Sequence, residues 1–156
     1  MRNLARIGTA LGAVAVLATA TAGVASAAPS GFTVDVHHSS GALATALSGS
    51  LSWSTSSKTV TIGGTSLFVK AGECITVTAT GYQGSTKVTD PYAFPGSNQK
   101  ACADQGVDVT GSIGTHGLTA KVPGGVEHVV IRLTDYDHQI GHYANCYRTA
   151  SVCQYG

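Results

Sequence analysis

The part of the chain best equipped for chemistry is its closing stretch, DYDHQIGHYANCYRTASVC, nineteen residues from Asp135 to Cys153. It contains two aspartates, two histidines and two cysteines, the side chains from which metal sites and catalytic centres are built. The same composition suits the disulfide-bonded end of a small β-domain. The rest of the sequence decides between these two interpretations.

A metal site would draw its ligands from Asp135, Asp137, His138 and His142. The H-x3-H spacing places two imidazoles on one face of a helix. Here, however, the segment connects two stretches with strand-like alternation, HVVIRLT and HYANCYR, and no HExxH motif is present. We therefore expect His138 in a turn and His142 at the start of a return strand. In that arrangement the two imidazoles do not lie on one face of a helix. We predict a solvated hairpin that holds neither a metal nor another cofactor.

Catalytic patterns are also missing from the sequence. No serine lies in a G-x-S-x-G frame, and the cysteines are expected to pair, which leaves no thiol nucleophile. Asp135 and Asp137 lack any feature that would separate a glycosidase pair from ordinary turn acids. We predict that the protein is not an enzyme.

The N-terminal segment has the organisation of a secretory signal peptide. Arg2 and Arg6 form a basic start, an Ala/Leu/Val-rich run follows, and an A-x-A site ends at Ala27. The apolar run is short and diluted by Thr and Gly, unlike a membrane anchor of about 20 residues. Cleavage after Ala27 would release a secreted, extracellular chain of 129 residues, from Ala28 to Gly156, without a membrane attachment.

Charge excludes one class of partner. Subtracting Arg2 and Arg6 from the nine Lys and Arg residues leaves seven in the mature chain, against eight Asp and Glu. No basic stripe remains to neutralise phosphates, so nucleic acid is not an expected partner.

The four cysteines, Cys74, Cys102, Cys146 and Cys153, all lie in the mature chain. An even count in an exported protein predicts a disulfide framework. Three pairings exist, and we favour Cys74–Cys102 with Cys146–Cys153 because each closes a local segment.

Period-two alternation dominates the mature chain and predicts an all-β fold. Examples are Val60 with Ile62, Leu67 with Val69, and Ile75 with Val77. About eight short strands with frequent turns indicate an antiparallel β-sandwich. Gly63-Gly64 predicts a tight hairpin, and residues 90–106 form a long loop attached through Cys102.

The start of the mature chain differs in character. Residues 28–48 are expected to form an N-terminal arm or strand with a linker, and residues 49–156 the disulfide-bonded core. FTVDV, from Phe32 to Val36, is either an edge strand docked on the core or a partly free arm that pairs with a partner. Ala42 to Leu47 either forms a helical turn or stays flexible.

Aromatic residues near the loops suggest a contact surface. Tyr92, Phe94, Tyr136, Tyr147 and Arg148 combine apolar area with polar reach, as residues at binding hot spots do. Packing within the C-terminal hairpin explains them equally well.

Taken together, the signal peptide, the FTVDV arm, the core from Leu51 to Cys153 and the closing YANCYRTASVC resemble small secreted β-sandwich proteins of actinobacteria. In particular, the chain resembles the adaptor subunit of umbrella toxin particles. It implies a non-enzymatic adaptor in an extracellular assembly, joined to a protein partner through Phe32, Val34 and Val36. Two alternatives are an enzyme inhibitor that presents residues 90–106 and a carbohydrate-binding or cell-wall-binding module, against which the scarcity of aromatic residues argues.

Overall fold

The computed structural model describes residues 27–156. The predicted signal peptide, except for its last residue, lies outside the described residues. Within the described part of the chain, no helix has the length and apolar character needed to cross a membrane.

The described residues form twelve strands and no α-helix. The strands are β1 Gly31–His37, β2 Leu43–Trp53, β3 Thr59–Val69, β4 Cys74–Gln83, β5 Thr86–Lys87, β6 Tyr92–Phe94, β7 Ala101–Cys102, β8 Val109–Gly111, β9 His116–Thr119, β10 His128–Asp135, β11 Ile140–Tyr147 and β12 Gln154–Tyr155.

The strands are arranged in two antiparallel sheets. Sheet A has the order β1-β2-β3-β8, and β9 also pairs with β3. Sheet B has the order β12-β11-β10-β4-β5, and β6 and β7 also pair with β4. Buried residues of both sheets form one hydrophobic cluster, which confirms the predicted all-β sandwich. The strand count exceeds the expected eight because β5, β6, β7 and β12 are pieces of two or three residues, too short to show alternation.

Alternation explains how the core forms. In β10, Val129, Ile131 and Leu133 are fully buried, whereas Arg132 between them is exposed. Since successive strand residues point to opposite faces, one face of β10 lies against sheet A and the other faces outward. The hairpin predicted from HVVIRLT and HYANCYR is present, with β10 and β11 paired along their whole length.

The tight hairpin predicted at Gly63-Gly64 is wrong. Residues 59–69 form one strand, and the register against β2 shifts between Ser48 and Ser50. Gly64 has a φ of 55°, as in a β-bulge that adds one residue to a strand. The added residue restores the inward orientation: Ile62 and Leu67 are both buried although they are an odd number of residues apart.

The predicted boundary between arm and core also falls inside a strand. β2 runs continuously through Ser48 and Gly49, and it pairs with β1 on one side and β3 on the other. Ala44 and Leu47 are fully buried, so the segment expected to be a helical turn or a flexible linker is a central strand. Its Ala-rich sequence has weak β-propensity, and pairing on both sides overrides that local preference.

Both favoured disulfides are confirmed. Cys74 pairs with Cys102 and Cys146 with Cys153, an arrangement consistent with an extracellular protein. Cys74 and Cys102 are direct neighbours across β4 and β7. The segment from Asp90 to Gly106 is thus held along β4 as β6 and β7.

We expect Gly49→Ala to destabilise the protein by about 1–3 kcal/mol, the usual range for overpacking a core. A Cβ at Gly49 would lie 2.8 Å from Cε1 of Phe32 and 3.0 Å from Cγ2 of Thr65. Gly111→Ala in β8 is the matched control, because nothing lies within 4 Å of its added Cβ. Urea unfolding of the two variants measures the difference, and equal midpoints would contradict this account of the packing.

Candidate functional site

Four ionisable side chains meet at one end of the sandwich: His38, Glu73, Asp135 and His138. His38 follows the end of β1, and Glu73 lies in the turn immediately before β4. Asp135 ends β10, and His138 lies in the β10–β11 turn. We call this group the His/carboxylate cluster. It joins segments of both sheets.

The fold places the two carboxylates differently. Asp135 continues the inward alternation of β10, so its side chain lies on the core face and is fully buried. Glu73 is held by its backbone, which donates to the carbonyl of Lys70 and accepts from the N–H of Ala103. The Glu73 side chain is only 12% exposed.

The cluster is compact. Nε2 of His38 lies 3.3 Å from Oε1 of Glu73 and 3.4 Å from Oδ2 of Asp135. Nδ1 of His138 lies 3.3 Å from Oε2 of Glu73 and 2.9 Å from Oδ2 of Asp135. The backbone N–H of His138 also donates to Oδ1 of Asp135, which fixes the carboxylate within the turn. The side-chain hydrogen bond to Asp135 raises the pKa of His138 above its ordinary value.

Of the four ligand candidates considered in the sequence, the structure brings together only Asp135 and His138. Asp137 forms an ion pair with Lys100, and His142 is exposed on β11. Sequence reasoning missed His38 and Glu73, which are distant along the chain. The D-x-x-H spacing of Asp135 and His138 was the one local signal of the cluster.

A second candidate site is the open edge of β1. Among residues 27–156, β1 pairs with β2 on one side and with no strand on the other. Leu51 N–H donates to the carbonyl of Ser30, so alternate residues from Phe32 onward bond to β2. The backbone groups of Thr33 and Asp35 therefore point away from β2, at the open edge.

A groove of about 520 Å³ runs beside this edge. Its lining consists of Thr33, Val34, Asp35, His142, Tyr143, Tyr155 and Gly156. Tyr143 and Tyr155 are 38% and 60% exposed. The groove thus combines an unpaired strand edge with two accessible aromatic rings. We call this surface the β1 groove.

The predicted partner contacts of the arm require a correction. Phe32, Val34 and Val36 are 4%, 3% and 0% exposed because they face the hydrophobic core. Their side chains are therefore not available to a partner. The exposed parts of β1 are instead its intervening residues, including Thr33 and Asp35.

The other predicted contact residues do not form one surface. Tyr92 and Phe94 pair with β4 opposite buried residues and pack against the core, and burial raises the pKa of Tyr92. Tyr136 lies 45% exposed in the β10–β11 turn, beneath the Lys100 ammonium. Tyr147 and Arg148, at the end of β11, are half-buried.

Tyr147 belongs to an aromatic row on the outer face of sheet B. The His128 ring stacks on Tyr82 with an interplanar angle of 10° and on Tyr147 with an angle of 28°. His128 is 7% exposed, and this burial lowers its pKa. The rings cover each other's faces, which leaves little flat aromatic area for a sugar ring.

A scan against protein-family models and searches of the curated proteins and of the solved structures found no match to this chain.

Proposed function

We propose that the protein is a secreted, non-enzymatic adaptor in an extracellular, toxin-like assembly, and that an extended segment of a protein partner pairs with the open edge of β1. The observation that carries this proposal is the unpaired edge of β1 beside the β1 groove. An exposed strand edge presents a row of free N–H and C=O groups that a foreign strand can complete.

Backbone pairing along β1 supplies affinity, and the side chains around the groove supply selectivity. Tyr143 and Tyr155 offer exposed aromatic area and hydroxyl groups in the lining of the groove, and Asp35 adds a negative charge beside the edge. The partner would thus bind the segment from Phe32 to Val36 that was predicted from the sequence. It would bind through the backbone and the exposed side chains of that segment. The buried residues of β1 hold the edge in place.

The two alternatives have less support. An inhibitory loop must project from its scaffold, whereas residues 92–94 and 101–102 are paired along β4. A carbohydrate-binding face needs exposed aromatic planes, whereas the rings of Tyr82, His128 and Tyr147 stack on one another.

Thr33→Pro tests strand pairing. Proline removes the outward N–H of Thr33, and edge strands tolerate proline where the N–H faces solvent. Tagged protein purified from the culture medium of its native host is expected to carry a stoichiometric partner, and Thr33→Pro to lose it. Size-exclusion chromatography with mass spectrometry measures the partner, and hydrogen exchange of the complex is expected to show protection of the Asp35 N–H.

Thr110→Pro is the matched control, since Thr110 lies in β8, on the other edge of sheet A, and its backbone N–H points away from β3. It is expected to retain the partner. A wild-type protein that purifies as a monomer, or a partner retained equally by Thr33→Pro, would overturn the proposal.

A further inference from the structure

We propose that His38, Glu73, Asp135 and His138 bind one zinc ion, Zn²⁺, which clamps the two sheets together at this end of the sandwich. The inference does not depend on the adaptor function. It rests on the positions, burial and charges of the four side chains in the His/carboxylate cluster.

The distances match tetrahedral coordination. Zinc bound to imidazole nitrogen and carboxylate oxygen at about 2.0–2.2 Å has its ligand atoms about 3.3–3.6 Å apart. His38 Nε2 lies 3.3 Å from Oε1 of Glu73 and 3.4 Å from Oδ2 of Asp135, and His138 Nδ1 lies 3.3 Å from Oε2 of Glu73, all within this range. The fourth distance, 2.9 Å between His138 Nδ1 and Oδ2 of Asp135, is that of a hydrogen bond. One ligand atom from each residue lies within 4.8 Å of all the others. The donor atoms therefore lie close enough together for one zinc ion, which on binding would replace the hydrogen bond between His138 and Asp135 and draw the remaining donor atoms towards a common centre.

Hydrogen bonding does not account for this convergence. Nδ1 of His138 makes a hydrogen bond to Asp135, but Nε2 of His38 and Oε2 of Glu73 are buried and have no hydrogen-bond partner among residues 27–156. Buried polar atoms in native proteins nearly always have a partner. A metal ion at the common centre would supply the missing partner for both atoms.

The charge balance also favours a dication. Glu73 and Asp135 bring two carboxylates together, one of them fully buried, and in the described chain neither forms a salt bridge with Lys or Arg. Two imidazolium ions would also neutralise the carboxylates. However, each imidazolium requires well-directed N–H donation, and His38 Nε2 does not achieve it.

The donor set favours zinc over calcium and magnesium. Calcium and magnesium prefer oxygen ligands only, with six or more positions, whereas two imidazoles with two carboxylates form a tetrahedral zinc set. Four protein ligands close the coordination shell, as in structural zinc sites. The His138 side chain is 51% exposed, so an ion can enter from solvent on that side.

The positions of the three segments that supply the ligands show which parts of the fold a zinc ion would connect. His38 follows the edge strand of sheet A, Glu73 lies in the turn between β3 and β4, and Asp135 with His138 belongs to the β10–β11 hairpin of sheet B. One ion would therefore connect the end of β1 to sheet B. No disulfide of the described chain makes this connection, since one cystine joins β4 to β7 and the other joins β11 to the residue before β12, all in sheet B.

The test measures zinc binding to the full mature protein after treatment with a chelator. Isothermal titration with zinc and metal analysis of the dialysed protein are expected to give one zinc per chain. Cobalt(II), used as a probe, is expected to give the intense visible absorption of tetrahedral coordination. His38→Gln and His138→Gln are each expected to weaken zinc binding at least about 100-fold, since even outer partners of metal ligands are worth about 10–100-fold.

The matched controls are His37→Gln and His142→Gln. Both histidines are exposed and lie outside the cluster, His37 next to His38 in sequence and His142 on β11, and both variants are expected to bind zinc as the wild type does. Because all four substitutions change solvent-accessible histidines, they are expected to leave the fold intact, which circular dichroism verifies. Failure of the wild type to bind zinc, wild-type affinity in His38→Gln and His138→Gln, or an equal loss in the controls would each overturn the proposal.

Discussion

Removing zinc from the native protein with a chelator is expected to lower its free energy of unfolding by about 2.7 kcal/mol, relative to protein held at about 100 times the zinc dissociation constant. The ion binds the folded chain, where the His/carboxylate cluster is assembled, and not the unfolded chain, where His38, Glu73 and Asp135 are far apart. Without the ion, two neighbouring carboxylates repel each other, and one of them is fully buried. Thermal unfolding with and without excess zinc measures the effect.

The expected fall in Tm is about 10 °C, from about 4 °C per kcal/mol for a domain of this size. Hydrogen exchange is expected to increase at the end of β1 and in the β10–β11 turn before it does elsewhere. The double variant His38→Gln with His138→Gln should no longer respond to zinc, whereas His142→Gln should respond fully. A Tm that is independent of zinc in the wild type would contradict the clamp.

Replacing Cys74 and Cys102 with alanine is expected to cost about 3.6 kcal/mol, the loop-closure contribution for residues 28 positions apart. Cys102 is exposed, so little packing is lost at that end. The cost is a large share of the total stability of a small domain, about 5–15 kcal/mol. Urea unfolding of the double variant measures it.

Replacing Cys146 and Cys153 with alanine provides the comparison. Their separation of 7 predicts a smaller loop contribution, about 2.5 kcal/mol, but both side chains are almost fully buried. The total loss in the free energy of unfolding of the Cys146/Cys153 variant is therefore expected to exceed the loop contribution alone. If the free energy of unfolding of the Cys74/Cys102 variant falls by less than about 1 kcal/mol, this disulfide does not stabilise the protein by cross-linking the unfolded chain.

The fold class, the favoured disulfide pairing and the C-terminal hairpin could be predicted from the sequence. Each of these depends on short-range information. Alternation places Val129, Ile131 and Leu133 on one face, and neighbouring cysteines close local segments. The turn between β10 and β11 follows from two alternating stretches with a polar interruption, because residues that are close in sequence must reverse direction there.

The way in which distant segments meet depends on packing and could not be predicted from the sequence. Gly63-Gly64 has the composition of a hairpin, but pairing with the whole of β2 makes it a bulge within β3. The Ala-rich stretch before Ser48 has little strand propensity of its own and becomes a strand because β1 and β3 pair with it on either side.

The two candidate sites depend on the same long-range assembly. Within residues 27–156, the β1 edge is open because sheet A ends there, which no local pattern indicates. Asp135 and His138 were visible as neighbours in a turn, whereas His38 and Glu73 reach them only when the two sheets pack face to face. A set of ligands drawn from three separate segments has no spacing in the sequence, because the packing of the sheets, and not the chain between the residues, sets the distances.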